Sequence, residues 1–246
     1  MRKDGLFIVK QNKQIAQSVY EMVLQGDTSA ISAPGQFVNV EIDGLFLRRP
    51  ISVCDLNGDL LTLIYKAVGV GTEKMADAKA GDCFSLLTGL GNGYDLAKCG
   101  QKPLLIGGGV GVPPMYYLAK CLIKEGKKPR IVLGFNTEKD CFYAEQFRAL
   151  GCETAIATAD GSVGIKGFVT DAIRQSAFDY DYFCACGPEP MLRAVADCCD
   201  CSGQLSFEER MACGFGACMG CSCKTKYGNK RICKDGPVLF KEEVIW

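Results

Sequence analysis

Histidine is absent from the 246 residues. That absence removes imidazole-ligated zinc, Rieske-type ligation, Ser-His-Asp triads and histidine general bases together. Charge of one sign is lacking too: 28 basic residues balance 28 acidic ones, leaving no polycationic surface for nucleic acid or anionic lipid. No apolar run is free of breakers. The uncharged stretch between Lys102 and Lys120 contains Pro103, Pro113 and Pro114 with Gly107, Gly108, Gly109 and Gly111, which in lipid would leave backbone groups unsatisfied. The opening MRKDGLFIVK has no signal-peptide apolar core. A cytoplasmic protein is expected, with neither nucleic acid nor membrane as partner.

What the chain has in excess is cysteine, sixteen in all. Secreted disulfide scaffolds are usually much shorter, so a reducing compartment fits better, with the thiols free or bound to metal. The length suits two ordinary domains and a small appendage.

Residues 1–98 read as six short strands, Phe7–Lys10, Ala16–Leu24, Phe37–Ile42, Pro50–Cys54, Leu60–Ala67 and Cys83–Leu87, with one helix over Thr72–Lys79. The turns at Pro34-Gly35, Asn57-Gly58 and Gly81-Asp82 suit a small antiparallel barrel. From Pro103, apolar strands such as LLIGG, RIVLGF, TAIATA and YFCAC alternate with helical segments. That rhythm predicts a doubly wound parallel sheet over residues 99–203. Residues 204–246 form a cysteine-dense, glycine-rich segment.

Four motifs carry chemistry. Cys213, Cys218, Cys221 and Cys233 are spaced C-x4-C-x2-C-x11-C, with Gly214, Gly216 and Gly220 between them. This is the spacing of a plant-type 2Fe-2S site, whose glycine loop turns its amides toward sulfur. A four-thiolate zinc site, which wants close-spaced pairs, is the alternative, and Cys223 could replace Cys221 as ligand. Arg49-Pro50-Ile51-Ser52, then Ile64-Tyr65-Lys66, then Gly71-Thr72 at a helix start, supply a cation, a hydroxyl and apolar strand residues in the order a flavin dinucleotide needs. RPIS alone could equally be a polar-flanked strand. Gly107, Gly108, Gly109 and Gly111 follow a strand and precede a helix, as in a dinucleotide loop, although Pro113 and Pro114 depart from GxGxxG and a structural turn would use the same glycines. Cys186, Gly187 and Pro188 end the last parallel strand, and in an open sheet they border the same crevice, to which Asp160 could add a ribose or phosphate contact. That turn, too, could simply break a strand and start a helix.

Together RPIS, the GT pair, GGGVGVPP, CGPEPM and ERMACGFGACMGCSCK resemble the ferredoxin-NADP reductase superfamily, most closely the electron-transfer subunits of bacterial type B dihydroorotate dehydrogenases. The resemblance implies an FAD-binding barrel, an NAD domain and a C-terminal 2Fe-2S segment. It further implies FAD contacts from Arg49, Pro50, Ile51, Ser52, Ile64, Tyr65, Lys66, Gly71 and Thr72, cluster ligation by Cys213, Cys218, Cys221 and Cys233, and Cys186 beside the nicotinamide. The partner it implies is an FMN-containing dihydroorotate dehydrogenase catalytic subunit, in a heterotetramer of two of each chain. Electrons would pass from that FMN through the cluster and FAD to NAD+, in pyrimidine biosynthesis. The competing readings are a subunit of a related NAD(P)H complex, of sulfhydrogenase or ferredoxin-dependent transhydrogenase type, and a non-enzymatic metal or redox sensor. Met211, Phe215 and Met219, among the cysteines, would either dock the partner or only shield the cluster.

Overall fold

The computed structural model describes residues 2–246. Six strands, β1 (Lys3–Ala16), β2 (Val19–Gln25), β3 (Phe37–Val40), β4 (Arg49–Asn57), β5 (Leu60–Lys66) and β6 (Cys83–Leu90), close an antiparallel barrel in the order β1-β2-β5-β4-β3-β6. The two-residue period decides what fills it: Met22 and Leu24 on β2, Leu61 and Leu63 on β5, and Leu86 on β6 are wholly buried inside. Each such side chain contributes about 1.5–3 kcal/mol by leaving water. Helix α1 (Val70–Ala76) plugs one end with Met75. Its last turn is held by Asn12, whose Nδ2 donates to the carbonyls of Met75, Ala76 and Ala78.

One strand differs from expectation. The Gln11–Ile15 stretch falls between two expected strands, yet β1 continues through it, pairs Asn12 with Met22 and Lys13 with Glu21, and turns only at Gln17-Ser18, where Ser18 has φ 57°. A barrel wall has one face in water, so polar side chains there cost nothing, and Asn12 is satisfied by α1 and by the phenol of Tyr65 at 3.0 Å.

The second unit runs β7 (Pro103–Gly108), α2 (Val112–Lys124), β8 (Arg130–Phe135), α3 (Ala144–Ala149), β9 (Thr154–Thr158), β10 (Ile165–Lys166), α4 (Val169–Ser176), β11 (Tyr182–Cys186), α5 (Glu189–Cys198) and β12 (Gly203–Ser206). All strands from β10 to β12 are parallel, in the order β10-β9-β8-β7-β11-β12. Helices α2 and α3 bury Met115, Leu118, Leu122 and Phe147 on one face, and α4 and α5 bury Ala172, Ile173, Leu192 and Val195 on the other. The strand order reverses between β7 and β11, so the chain leaves their carboxyl ends in opposite directions and a crevice opens there.

The C-terminal segment forms a hairpin of β13 (Ser222–Thr225) and β14 (Gly228–Arg231), then returns to the large sheet as β15 (Val238–Phe240), antiparallel to β12. The barrel docks through α2, which packs on β4. Lys120 reaches both carboxylate oxygens of Asp55 at 2.5 and 2.7 Å, and Tyr143 donates to Glu21 at 2.8 Å. Among the described residues no helix is long and apolar enough to cross a membrane.

Candidate functional site

Three groups of side chains converge where barrel, sheet and cysteine segment meet. In the first, Arg49 opens β4 and its guanidinium lies over Gly71 in the first turn of α1: a Cβ on Gly71 would fall 2.4 Å from Arg49 Nε. The cation and the first amides of α1 therefore face one spot, cleared by a missing side chain. The Thr72 hydroxyl closes the preceding turn, accepting from the Val68 N–H and donating to the Gly69 carbonyl, each at 3.0 Å. Pro50, Ile51 and Ser52 follow on β4, partly exposed beside Arg49. Ile64 and Tyr65 are buried, and the Tyr65 ring points into the barrel with its hydroxyl on Asn12. Only the backbone of Tyr65 is free for a cofactor. Lys66 ends β5 and reaches the next group.

That group is a groove of about 620 Å³ at the strand-order reversal. Gly108, Gly109 and Pro188 line it, with Lys66 and Val19 of the barrel opposite. Gly107, Gly111, Cys186 and Gly187 lie behind this surface. A Cβ on Gly107 would meet Val112, and one on Gly111 would fall 2.1 Å from the Cys186 carbonyl oxygen. These glycines let α2 start against β11. Cys186 is 3 % exposed, and burial pushes its thiol up to about 12, so it is neutral. Asp160 lies one loop away: its carboxylate accepts from the Ser162 N–H at 2.9 Å and hydroxyl at 2.7 Å, and the Ser162 Oγ accepts from the Glu138 N–H, tying the loops after β8 and β9. Those hydrogen bonds hold its pKa below the usual carboxylate range.

Three groove residues escape sequence reasoning. Glu208 follows β12, and its carboxyl pKa is raised by desolvation although the residue also meets solvent. Phe168 is 70 % exposed in the wall, and Met191 completes it from α5. An apolar residue directly after a parallel strand's carboxyl end is the signal that finds Phe168; nothing local marks Glu208.

The third group is the cysteine loop. Gly214 and Gly216 take φ of 73° and 88°, which turns the backbone amides inward. The Cys213 sulfur accepts N–H groups of Phe215, Ala217 and Cys218 at 3.5, 3.3 and 3.5 Å. Desolvation raises its pKa, but these donors prevail and draw it down to about 6. The Cys218 backbone N–H thus ties these two ligand candidates together. Cys221 and Cys233 are joined in the same way, the Cys233 N–H donating to the Cys221 sulfur at 3.4 Å. Cys221 and Cys233 are buried, whereas Cys218 is exposed. Arg231 clamps the loop, donating to the Gly216 carbonyl at 3.0 Å while paired with Asp235. Cys223 lies on β13 opposite Lys230, outside both pairs.

This donor set fits a binuclear cluster. Each iron of a 2Fe-2S group takes two thiolates, and two pairs are present. A single zinc ion would instead need three or four donors around one point.

Comparison with known proteins agrees with this geometry. The iron-sulfur cluster binding domain of dihydroorotate dehydrogenase B matches residues 208–245, and the oxidoreductase NAD-binding domain matches residues 105–197. The chain is 44 % identical over 257 residues to the dihydroorotate dehydrogenase B (NAD(+)) electron transfer subunit of a Geobacillus species, covering 100 % of each chain. It is also 44 % identical over 250 residues to that of Fusobacterium nucleatum, covering 96 % of both. Among solved structures, a chain of NADH-dependent reduced ferredoxin-NADP oxidoreductase superposes with a TM-score of 0.89 at 29 % identity, over 98 % of this chain and 90 % of that one. Phthalate dioxygenase reductase shares the fold, with a TM-score of 0.63 at 19 % identity over 79 % of this chain and 64 % of that one.

Proposed function

The chain belongs to the family of dihydroorotate dehydrogenase B electron transfer subunits, and on that premise we propose that it carries electrons from a dihydroorotate-oxidising catalytic subunit, through a 2Fe-2S cluster and FAD, to NAD+. The process served is pyrimidine biosynthesis. The observation that carries the reading is the gathering of Cys213, Cys218, Cys221 and Cys233 in one segment whose backbone amides donate to sulfur, packed on the barrel strands next to RPIS.

Bound FAD supplies the exchange between a two-electron hydride carrier and a one-electron cluster. The chain's own residues do the placing. Arg49 and the cleared start of α1 neutralise and hold a pyrophosphate, Ser52 offers a hydroxyl to the ring, and Pro50, Ile51, Ile64, Lys66 and the backbone of Tyr65 flank it. Gly108 and Gly109 admit the NAD phosphates to α2's first turn, Gly107, Gly111 and Gly187 keep that turn close to β11, and Pro188 walls the nicotinamide end with neutral Cys186 behind it. Asp160 orients a ribose. Cys213, Cys218, Cys221 and Cys233 would hold the cluster, with Cys223 a spare thiol. No side chain has to act as general base for hydride transfer.

The partner is an FMN-containing barrel subunit, two copies with two of this chain, in the cytoplasm. Phe215 and Met219, at 37 % and 54 % exposure, present apolar surface at the cluster's outer edge, where that partner docks. The deciding experiment is anaerobic absorption of the purified chain with FAD and iron counted, followed by NADH. About two irons per FAD and flavin bleaching support the assignment. A colourless zinc protein refutes it. Phe215→Asp should weaken co-elution with the FMN subunit while leaving the spectrum unchanged, and unaltered co-elution removes the docking assignment.

A further inference from the structure

The barrel wall facing the cysteine loop holds a buried polar side chain with no role in the account above. Asn39 on β3 is 1 % exposed. It lies opposite Pro50 of β4 on one side and Leu87 of β6 on the other. Val38 and Val40 point into the barrel, so Phe37 and Asn39 point out of it. Phe37 there joins Leu90, Cys221, Ile232 and Cys233 in one apolar core.

The Asn39 amide nitrogen rests on Gly214, the residue after Cys213: a Cβ built on Gly214 would fall 2.0 Å from Nδ2. Gly214 is therefore required twice, for its φ of 73° and for this approach. The Asn39 carbonyl oxygen is buried and has no hydrogen-bond partner among the described residues. A leucine of similar shape would fill the wall without stranding an acceptor, so stability does not account for an amide here. What the position offers is an N–H donor beside a loop of sulfurs.

We propose that Asn39 is a positioning residue for the cluster, its side-chain NH2 donating to a sulfur of the bound 2Fe-2S group next to Gly214. The inference rests on the ligand set Cys213, Cys218, Cys221 and Cys233. The hydrogen bond ties the cluster to the strand pair that carries Pro50, Ile51 and Ser52. It also raises the cluster's reduction potential, because a donor at sulfur stabilises the added negative charge of the reduced form.

The test uses the holoprotein and Asn39→Leu, titrated anaerobically with the reduced cluster followed by electron paramagnetic resonance. The expected result is a roughly tenfold loss in the cluster's electron affinity, about 59 mV downward for one electron, with iron per FAD unchanged. A full cluster at the wild-type potential overturns the proposal. A second measurement needs no variant. In wild-type protein carrying 15N-asparagine, pulsed resonance of the reduced cluster should show a 15N coupling, since residues 207–223 and 231–235 contain no asparagine. A cluster signal without that coupling overturns the role of Asn39 alone, whereas no 2Fe-2S signal at all removes the ligand reading and this inference with it.

Discussion

Replacing Gly111 by alanine should disable reaction with NADH while sparing both resident cofactors. Its φ of −79° and ψ of −10° suit any residue, so no strained dihedral opposes the change. The obstacle is steric. The new methyl would lie 2.1 Å from the Cys186 carbonyl oxygen, 2.4 Å from its carbon and 2.7 Å from the Gly187 nitrogen. All three are backbone atoms and cannot rotate aside, so the start of α2 must retreat from the end of β11 by about 1 Å, and overpacking of this kind costs about 1–3 kcal/mol. The two segments that part are the walls of the crevice proposed to take the nicotinamide. A misplacement of about 1 Å costs on the order of 100-fold in rate where reacting atoms must be aligned. The assay is anaerobic stopped-flow reduction of the bound flavin by NADH, with FAD and iron counted on the same sample. A full cofactor complement with reduction slowed by about two orders of magnitude is expected. Reduction within about twofold of wild type would falsify the steric argument, because an error of 1 Å cannot be that cheap.

Serine in place of Cys213, Cys218, Cys221 or Cys233 should each abolish the cluster while FAD remains, and Cys223→Ser should keep it; iron and sulfide analysis reads both. Arg49→Ala removes a charge-assisted contact worth about 1.5–3 kcal/mol, so FAD should bind roughly 10- to 150-fold more weakly in ultrafiltration, and wild-type retention would dissociate Arg49 from the pyrophosphate. Glu208 has a pKa raised above its ordinary 4.5 by desolvation. The folded state then holds the proton longer than the unfolded one, so wild-type stability falls as pH rises from 4.5 through the folded value. Glu208→Gln should melt like wild type below that window and higher above it, and parallel melting curves across pH would show that the carboxyl is not desolvated.

Much of this was legible in the residues. Short β-rich runs separated by the turns at Pro34-Gly35, Asn57-Gly58 and Gly81-Asp82 announce the barrel, and the strand-helix rhythm after Pro103 announces the sheet. The cysteine spacing is local and reads directly. The failures are of another kind. The strand through Lys10–Gln14 carries polar residues on a solvated wall, so pairing, not hydropathy, makes it a strand. Tyr65 sits in the motif assigned to FAD, and strand alternation turns its ring inward, so that assignment rests on its backbone. Glu208 and Asn39 owe their surroundings to elements far away in sequence, the groove walls at Lys66 and Gly108 for Glu208 and the cysteine loop at Gly214 for Asn39, and no window around either residue contains that information.

The same long-range packing makes the three sites one device. Phe37 and Leu90 of the barrel, Leu104 and Ile106 of β7, Phe183 and Ala185 of β11, and Cys221 and Cys233 of the loop share a single apolar core. Anything that moves the loop relative to β3 must therefore disturb the face of β7 and β11 behind the nicotinamide groove, and the reverse. Electron transfer needs fixed separations more than it needs reactive side chains, and a close-packed core transmits displacement instead of absorbing it. On the proposed assignment the chain's polar chemistry goes to holding, with Arg49 for a phosphate, amides on sulfur and glycines where backbones must touch. It leaves redox reactivity to the groups held.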